Sequence, residues 1–215
     1  MGSLQDGLTD TERARSVRGF WYRLTGPLRA VAKRWGPTSL RRFVWEREFQ
    51  RERWFTVEEL ERPAINDHVE EYCRRGAILD LGCADGIVGL TLDPERYESY
   101  VGVDISQIAV DKASAHYRAR GNELEKNTYV RADIEDYQPD RKFQVVLFRH
   151  SLYYFNRINV GKVLDHYRQW LADDGVIIVV MGQPQRHRWL VELIRERFEV
   201  LSDEAHGYAT VQVFR

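Results

Sequence analysis

Residues 77–86 read Ala77-Ile78-Leu79-Asp80-Leu81-Gly82-Cys83-Ala84-Asp85-Gly86. The apolar run Ala77-Ile78-Leu79 predicts a buried strand closed by Asp80. Small residues at 82, 84 and 86 predict a tight turn, and the apolar stretch with Gly89 and Leu90 predicts the start of a helix. Strand, turn and helix N-terminus in that order form the crevice in which open parallel sheets bind ligands. Glycine there lets the main chain approach a ligand, because no Cβ intervenes. The turn lacks the G-x-G-x-x-G spacing of a dinucleotide fingerprint. Its spacing is D-x-G-x-x-x-G, from Asp80 to Gly86.

Further elements follow at intervals of one strand-helix unit. Val101-Gly102-Val103-Asp104-Ile105-Ser106 is a second strand ending in an acid, 24 residues after Asp80. That is close to the spacing at which a carboxylate meets a ribose hydroxyl pair. Val130-Arg131-Ala132-Asp133-Ile134 and Phe143-Gln144-Val145-Val146-Leu147-Phe148 supply two more. Residues 77–86 resemble the first motif of the class I S-adenosylmethionine-dependent methyltransferases. The three later stretches resemble that family's other cofactor elements and fourth strand. The resemblance spans about residues 64–215 and implies S-adenosylmethionine as cofactor. It places Asp80, Gly82 and Ala84 beside the methionine portion and Asp104 on the ribose. Ile105, Asp133 and Ile134 fall around the adenine, and Phe148 joins the cofactor-binding set.

The remaining periodicity agrees. Strands are expected near 77–80, 100–104, 127–131, 143–148 and 176–181, with helices at about 86–92, 107–120, 157–171 and 186–197. Two closing strands, 198–202 and 208–214, have no helix between them and therefore pair antiparallel. The expected fold is α/β: a seven-stranded, mostly parallel, Rossmann-like sheet with helices on both faces and an antiparallel last hairpin. An N-terminal helical lid is added to it. The expected division is a disordered tail at 1–10, a lid or substrate-recognition segment at 11–62, and the cofactor domain at 63–215.

Within the lid segment, Leu28, Val31, Ala32 and Trp35 mark one helix, and Leu40, Phe43 and Val44 mark the buried side of the next. That second helix is expected to be capped by Thr38 or Ser39. Its charged side, with Arg41, Arg42, Glu46, Arg47 and Arg51, reads as a wet face. A capping box at Thr56-x-x-Glu59 precedes a helix carrying Ile65, Val69 and Tyr72.

The chain of 215 residues is 30% charged and 43% hydrophobic, as a folded water-soluble domain requires. No apolar run reaches the length that spans a bilayer, so a cytoplasmic protein is expected. Cys73 and Cys83 read as buried thiols, and no Cys/His spacing indicates zinc. A net charge of −1 hides an asymmetry: residues 13–53 carry twelve Lys/Arg against three Glu, and residues 63–215 carry nineteen against twenty-four acids.

The chemistry is sought at the end of the fourth strand, Phe148-Arg149-His150-Ser151-Leu152-Tyr153-Tyr154. This lacks the Asn/Asp-Pro-Pro-Tyr/Phe pattern of methyltransferases acting on nucleobase or glutamine amino groups. His150 is the candidate general base, because an imidazole titrates near neutrality. Arg149, Tyr153 and Tyr154 are candidate substrate contacts. His116, His166, His187 and His206 read as solvated surface. The expected activity is methyl transfer to a hydroxyl of a small molecule, a saccharide or natural product foremost. The rivals are a small-molecule N-methyltransferase, an RNA methyltransferase using the basic segment, and a non-catalytic cofactor-binding module. A homodimer is compatible with all of them.

Overall fold

The computed structural model describes residues 26–50, 62–121, 125–206 and 209–215. The expected tail at 1–10 and the capping box at Thr56 lie outside them. Seven strands form one sheet: β1 (Ala77–Leu81), β2 (Ser99–Asp104), β3 (Asn127–Arg131), β4 (Phe143–Arg149), β5 (Leu171–Gly182), β6 (Val200–His206) and β7 (Ala209–Phe214). Their order is β3-β2-β1-β4-β5-β7-β6. The first five strands pair in parallel, and β7 runs antiparallel to β5 and β6. From β1 the chain winds out to β3, then returns to place β4 on the other side of β1. That reversal leaves the crevice predicted by the opening motif.

The helices are α1 (residues 26–35), α2 (Thr38–Phe49), α3 (Arg62–Cys73), α4 (Ile87–Thr91), α5 (Gln107–Ala119), α6 (Arg157–Arg168) and α7 (Arg188–Arg197). Two apolar layers cover the sheet. On one face Ile65 and Val69 of α3 and Val88 of α4 pack on Ile78, Val145 and Ile178. On the other, Val160 and Leu164 of α6 and Leu190 and Ile194 of α7 pack on Leu79, Phe148 and Val179. All five residues of β1 are buried, which explains its unbroken apolar run: a parallel strand covered on both faces has no wet side.

The departures from expectation have physical causes. Helix α6 ends at Arg168, short of 171, because Leu171 already pairs with Phe143 and the Trp170 carbonyl accepts from the Phe143 amide. Strand β5 begins at Leu171, ahead of the expected 176, with an excursion at Asp173-Asp174-Gly175: the register jumps from Phe143–Leu171 to Val145–Val176. Strand β6 runs on to His206, where a loop from Asp203 was expected. As the outermost strand it has a single partner and keeps a polar sequence. At the start of α2 the cap position is Pro37, without a side-chain cap.

The largest correction concerns α1 and α2. Phe43, on the side of α2 expected to be buried, is 56% exposed, and the residues that mark α1 are exposed as well, Leu28 by 71% and Trp35 by 61%. Val44 is buried as expected, but so is Glu48. The side of α2 that meets the domain is the charged one.

Tyr100 is fully buried, and Gly89 of α4 packs against its ring. A Cβ on Gly89 would lie 2.7 Å from that ring and 2.9 Å from the Asn127 amide nitrogen. Gly89→Ala should therefore destabilise the fold by about 1–3 kcal/mol through overpacking. Helix propensity alone would favour alanine by about 1 kcal/mol. Urea denaturation measures the balance, and a variant as stable as the parent would mean that the Tyr100 ring yields freely.

Candidate active site

The turn after β1 is built from left-handed backbone: Gly82, Ala84 and Gly86 have φ of 88°, 51° and 77°. This points successive amides of the turn at β2. The Val103 carbonyl accepts from the Gly82 and Cys83 amides at 2.8 and 3.1 Å. The Ala84 amide donates to Asp104 Oδ2 at 3.1 Å, and the Ser106 amide to Asp104 Oδ1 at 2.9 Å. From the other side the Ser151 hydroxyl donates to the Leu81 carbonyl at 2.6 Å. A Cβ on Gly82 would meet Ser151 Cβ at 2.6 Å, so only glycine lets this turn sit against the end of β4.

A crevice opens above the turn. Its walls include Asp80, Gly82, Ala84, Asp104, Ile105, Asp133 and Ile134, with Arg149, His150 and Tyr154 from the end of β4. Ten of the twelve residues singled out from the sequence therefore line one cavity. Phe148 and Tyr153 do not. Phe148 points into the core and meets Tyr167 edge to face at 5.8 Å, since it lies one residue before the side chains that face the crevice. Tyr153 stacks on His187 at 4.4 Å with an interplanar angle of 13°, and its carbonyl accepts from Arg34 at 3.0 Å.

The carboxylates differ in setting. Asp80 is buried and accepts from the Tyr100 phenol. That phenol is raised well above its ordinary range by burial and then by the Asp80 charge. Burial pushes Asp104 up to about 6; the Ser106 and Ala84 amides pull it down, and the charges of Asp80 and Glu46 raise it again. Asp133 is also raised by burial, against the opposing pull of Arg41.

His150 has φ of +53°, a conformation uncommon for a side chain of its size. Its Nδ1 accepts a hydrogen bond from the Gly182 amide at 3.2 Å. A neutral imidazole with Nδ1 as acceptor carries its proton on Nε2, so Nε2 is a donor.

The remaining wall comes from α1 and α2, which contribute Lys33, Arg41, Trp45 and Phe49. Arg41 reaches across to Asp133 at 2.7 Å and also pairs with Glu135. Glu46 accepts from the Ser106 hydroxyl at 2.9 Å and from the Gln107 and Ile108 amides at 2.8 and 3.4 Å, at the N-terminus of α5. Lys33 lies 3.7 Å from the Trp45 ring centroid and 5.3 Å from that of Tyr154. Burial lowers its pKa from the ordinary lysine value, and Glu48 at 3.7 Å opposes the shift. Sequence reading missed the inward role of Lys33, Arg41 and Glu46. The available signal was the spacing Arg41, Trp45, Glu48, Phe49, a helical stripe that hydropathy does not mark because half of it is charged.

A methyltransferase-domain family model matches residues 47–207. No curated protein sequence matches the chain. Among solved structures, the N-methyltransferase NodS from Bradyrhizobium japonicum WM9, in complex with S-adenosyl-L-homocysteine, superposes with a TM-score of 0.63 at 14% identity, covering 79% of this chain and 97% of that one. The complex of DhpI with S-adenosylhomocysteine gives 0.63 at 16% identity over 80% and 92% of the two chains. The CcbJ methyltransferase from Streptomyces caelestis gives 0.61 at 13% identity over 73% and 89%. The family model spans about three quarters of the sequence, over the turn and the strands from β1 to β6, and the chain belongs to the class I S-adenosylmethionine-dependent methyltransferases.

Proposed function

We propose that the chain methylates an acidic oxygen of a small molecule, such as a carboxylate, phosphate or phenolate carried on a saccharide or natural product. The observation that carries this reading is the hydrogen bond from the Gly182 amide to His150 Nδ1. It argues against the expected general base, because the other ring nitrogen then holds a proton and cannot receive one. A group that donates is suited to an acceptor that arrives already ionised. Arg149, at the end of β4 beside His150, favours a negative charge there.

The residues present fit the cofactor. Asp104 would accept from the ribose hydroxyls, Ile105 and Ile134 would flank the adenine, and Asp80 with the Gly82–Ala84 backbone would face the methionine portion. S-adenosylmethionine supplies, when bound, a methyl group already activated on a sulfonium. The protein's own task is then to position the acceptor oxygen in line and to exclude water. In this reading His150 orients and Arg149 neutralises. Trp45, Phe49 and Tyr154 form the apolar wall that excludes water.

A second reading has its own support. Lys33 is an ammonium held over the faces of Trp45 and Tyr154, and the same faces suit a cationic amine acceptor. The RNA reading loses ground among the described residues. Arg29 and Lys33 pair with Glu48, Arg34 with a carbonyl, and Arg41 with Asp133 and Glu135.

His150→Gln keeps a donor at the site but cannot serve as a base. Turnover of a carboxylate or phenol acceptor by this variant should stay within about tenfold of the parent, whereas loss of a general base would cost roughly 10²–10⁴. The NMR shift of the transferred methyl carbon separates oxygen from nitrogen products, and an N-methyl product would put the second reading first.

A second prediction concerns pH. Asp104 ionises at about 6, and the ribose hydroxyls would donate to the ionised form. Calorimetric affinity for S-adenosylhomocysteine should rise as pH increases through about 6, and Asp104→Asn should flatten that rise. The sign for folding is opposite: a raised carboxyl stabilises the fold below its unfolded value, and this is lost as pH passes about 6. An affinity that does not change with pH would remove Asp104 from the ribose.

A further inference from the structure

Away from the crevice, α3 and the edge strand bring together three side chains of the types that ligate metals. His68 is buried on α3; Glu204 and His206 stand two residues apart on β6, hence on one face of the strand. That face looks toward α3, since Asp203 on the opposite face pairs with Arg195 of α7. Glu204 Oε1 is 3.5 Å from His68 Nε2, and Glu204 Oε2 is 3.4 Å from His206 Nε2. One ligand atom from each of the three residues lies within 4.8 Å of the others.

The two imidazole–carboxylate separations, one to each oxygen of Glu204, are near the edge length of a tetrahedral ion's ligand set. Bonds of about 2.0–2.1 Å place neighbouring ligand atoms about 3.3 Å apart. The two imidazole centroids are 5.4 Å apart with ring planes at 83°, close to the roughly 5 Å expected for two rings sharing one ion. His206 Nε2 is buried and has no hydrogen-bond partner among the described residues. The Ser202 hydroxyl donates to Glu204 Oε1 at 2.8 Å, the kind of outer contact that orients a ligating carboxylate.

We propose that His68, Glu204 and His206 bind a first-row divalent transition ion such as Zn²⁺, with a fourth position left to water. Two imidazoles and a carboxylate suit that class better than Mg²⁺ or Ca²⁺, which take oxygen ligands. The ion fastens α3, the helix that feeds β1, to the outermost strand of the sheet. None of the three residues lines the cofactor crevice, so the site is structural and independent of the methyl-transfer reading.

The test uses the full chain washed with EDTA and titrated with Zn²⁺ alone by calorimetry. One equivalent should bind. Co²⁺ in its place should give the visible bands of a four-coordinate ion, and saturating Zn²⁺ should raise the melting temperature. Glu204→Ala and His206→Ala change exposed and half-buried positions, so the fold should survive. Each should weaken binding by more than the roughly 10–100-fold that outer-shell partners cost. No Zn²⁺ binding by the parent would overturn the proposal and leave an ion pair between Glu204 and protonated histidines. Binding that persists unchanged in both variants would also overturn it, by assigning the ion to other histidines.

Discussion

The crevice depends on how β2 holds the turn that follows β1. Three consecutive amides, of Gly82, Cys83 and Ala84, are satisfied by two groups at the end of β2: the Val103 carbonyl and the Asp104 carboxylate. A buried amide without a partner is costly, so the turn keeps its left-handed path only while β2 supplies these acceptors. Asp104 therefore has a structural task and retains lone pairs for a ligand. Deep burial, reinforced by the nearby Asp80 and Glu46 charges, is also why it holds its proton to a higher pH than a free carboxyl, against the pull of those amides.

The second constraint is the polar contact between α2 and the domain. A free helix N-terminus leaves amides without partners, and at α5 the Glu46 carboxylate meets two of them with a charge of favourable sign. Arg41 sits between Asp133 and Glu135 in the same way. Part-buried ion pairs of this kind add little net stability, because each charge must give up water. They do fix where α2 lies, and thereby bring Trp45 and Phe49 to the crevice.

The opening motif, the order of strands and helices, and most of the crevice wall were legible in the sequence. Buried parallel strands announce themselves as apolar runs, and turns as small residues. What was not legible has a common cause. Hydropathy assumes that the inward face of an element is the oily one. In α2 that assumption picks Leu40 and Phe43, whereas Arg41, Glu46 and Glu48 face inward because charged partners wait there. In β6 a polar strand looks like a loop. Phe148 and Tyr153 lie off the crevice wall for a simpler reason: a motif fixes the strand end but not which of two adjacent side chains turns toward the cavity. The tautomer of His150 depends on Gly182, 32 residues away, and no local pattern carries that information.

The polar character of β6 has a consequence for the molecule as a solute. An open sheet ends in two strands with unsatisfied backbone groups on their outer sides, and such borders invite a second chain to add itself. Here β6 carries Asp203, Glu204 and His206 along one border, and β3 carries Arg131 on the other. A strand arriving at either border would have to strip water from those side chains. The residues that hide β6 from a hydropathy profile thus also guard the sheet against uncontrolled growth.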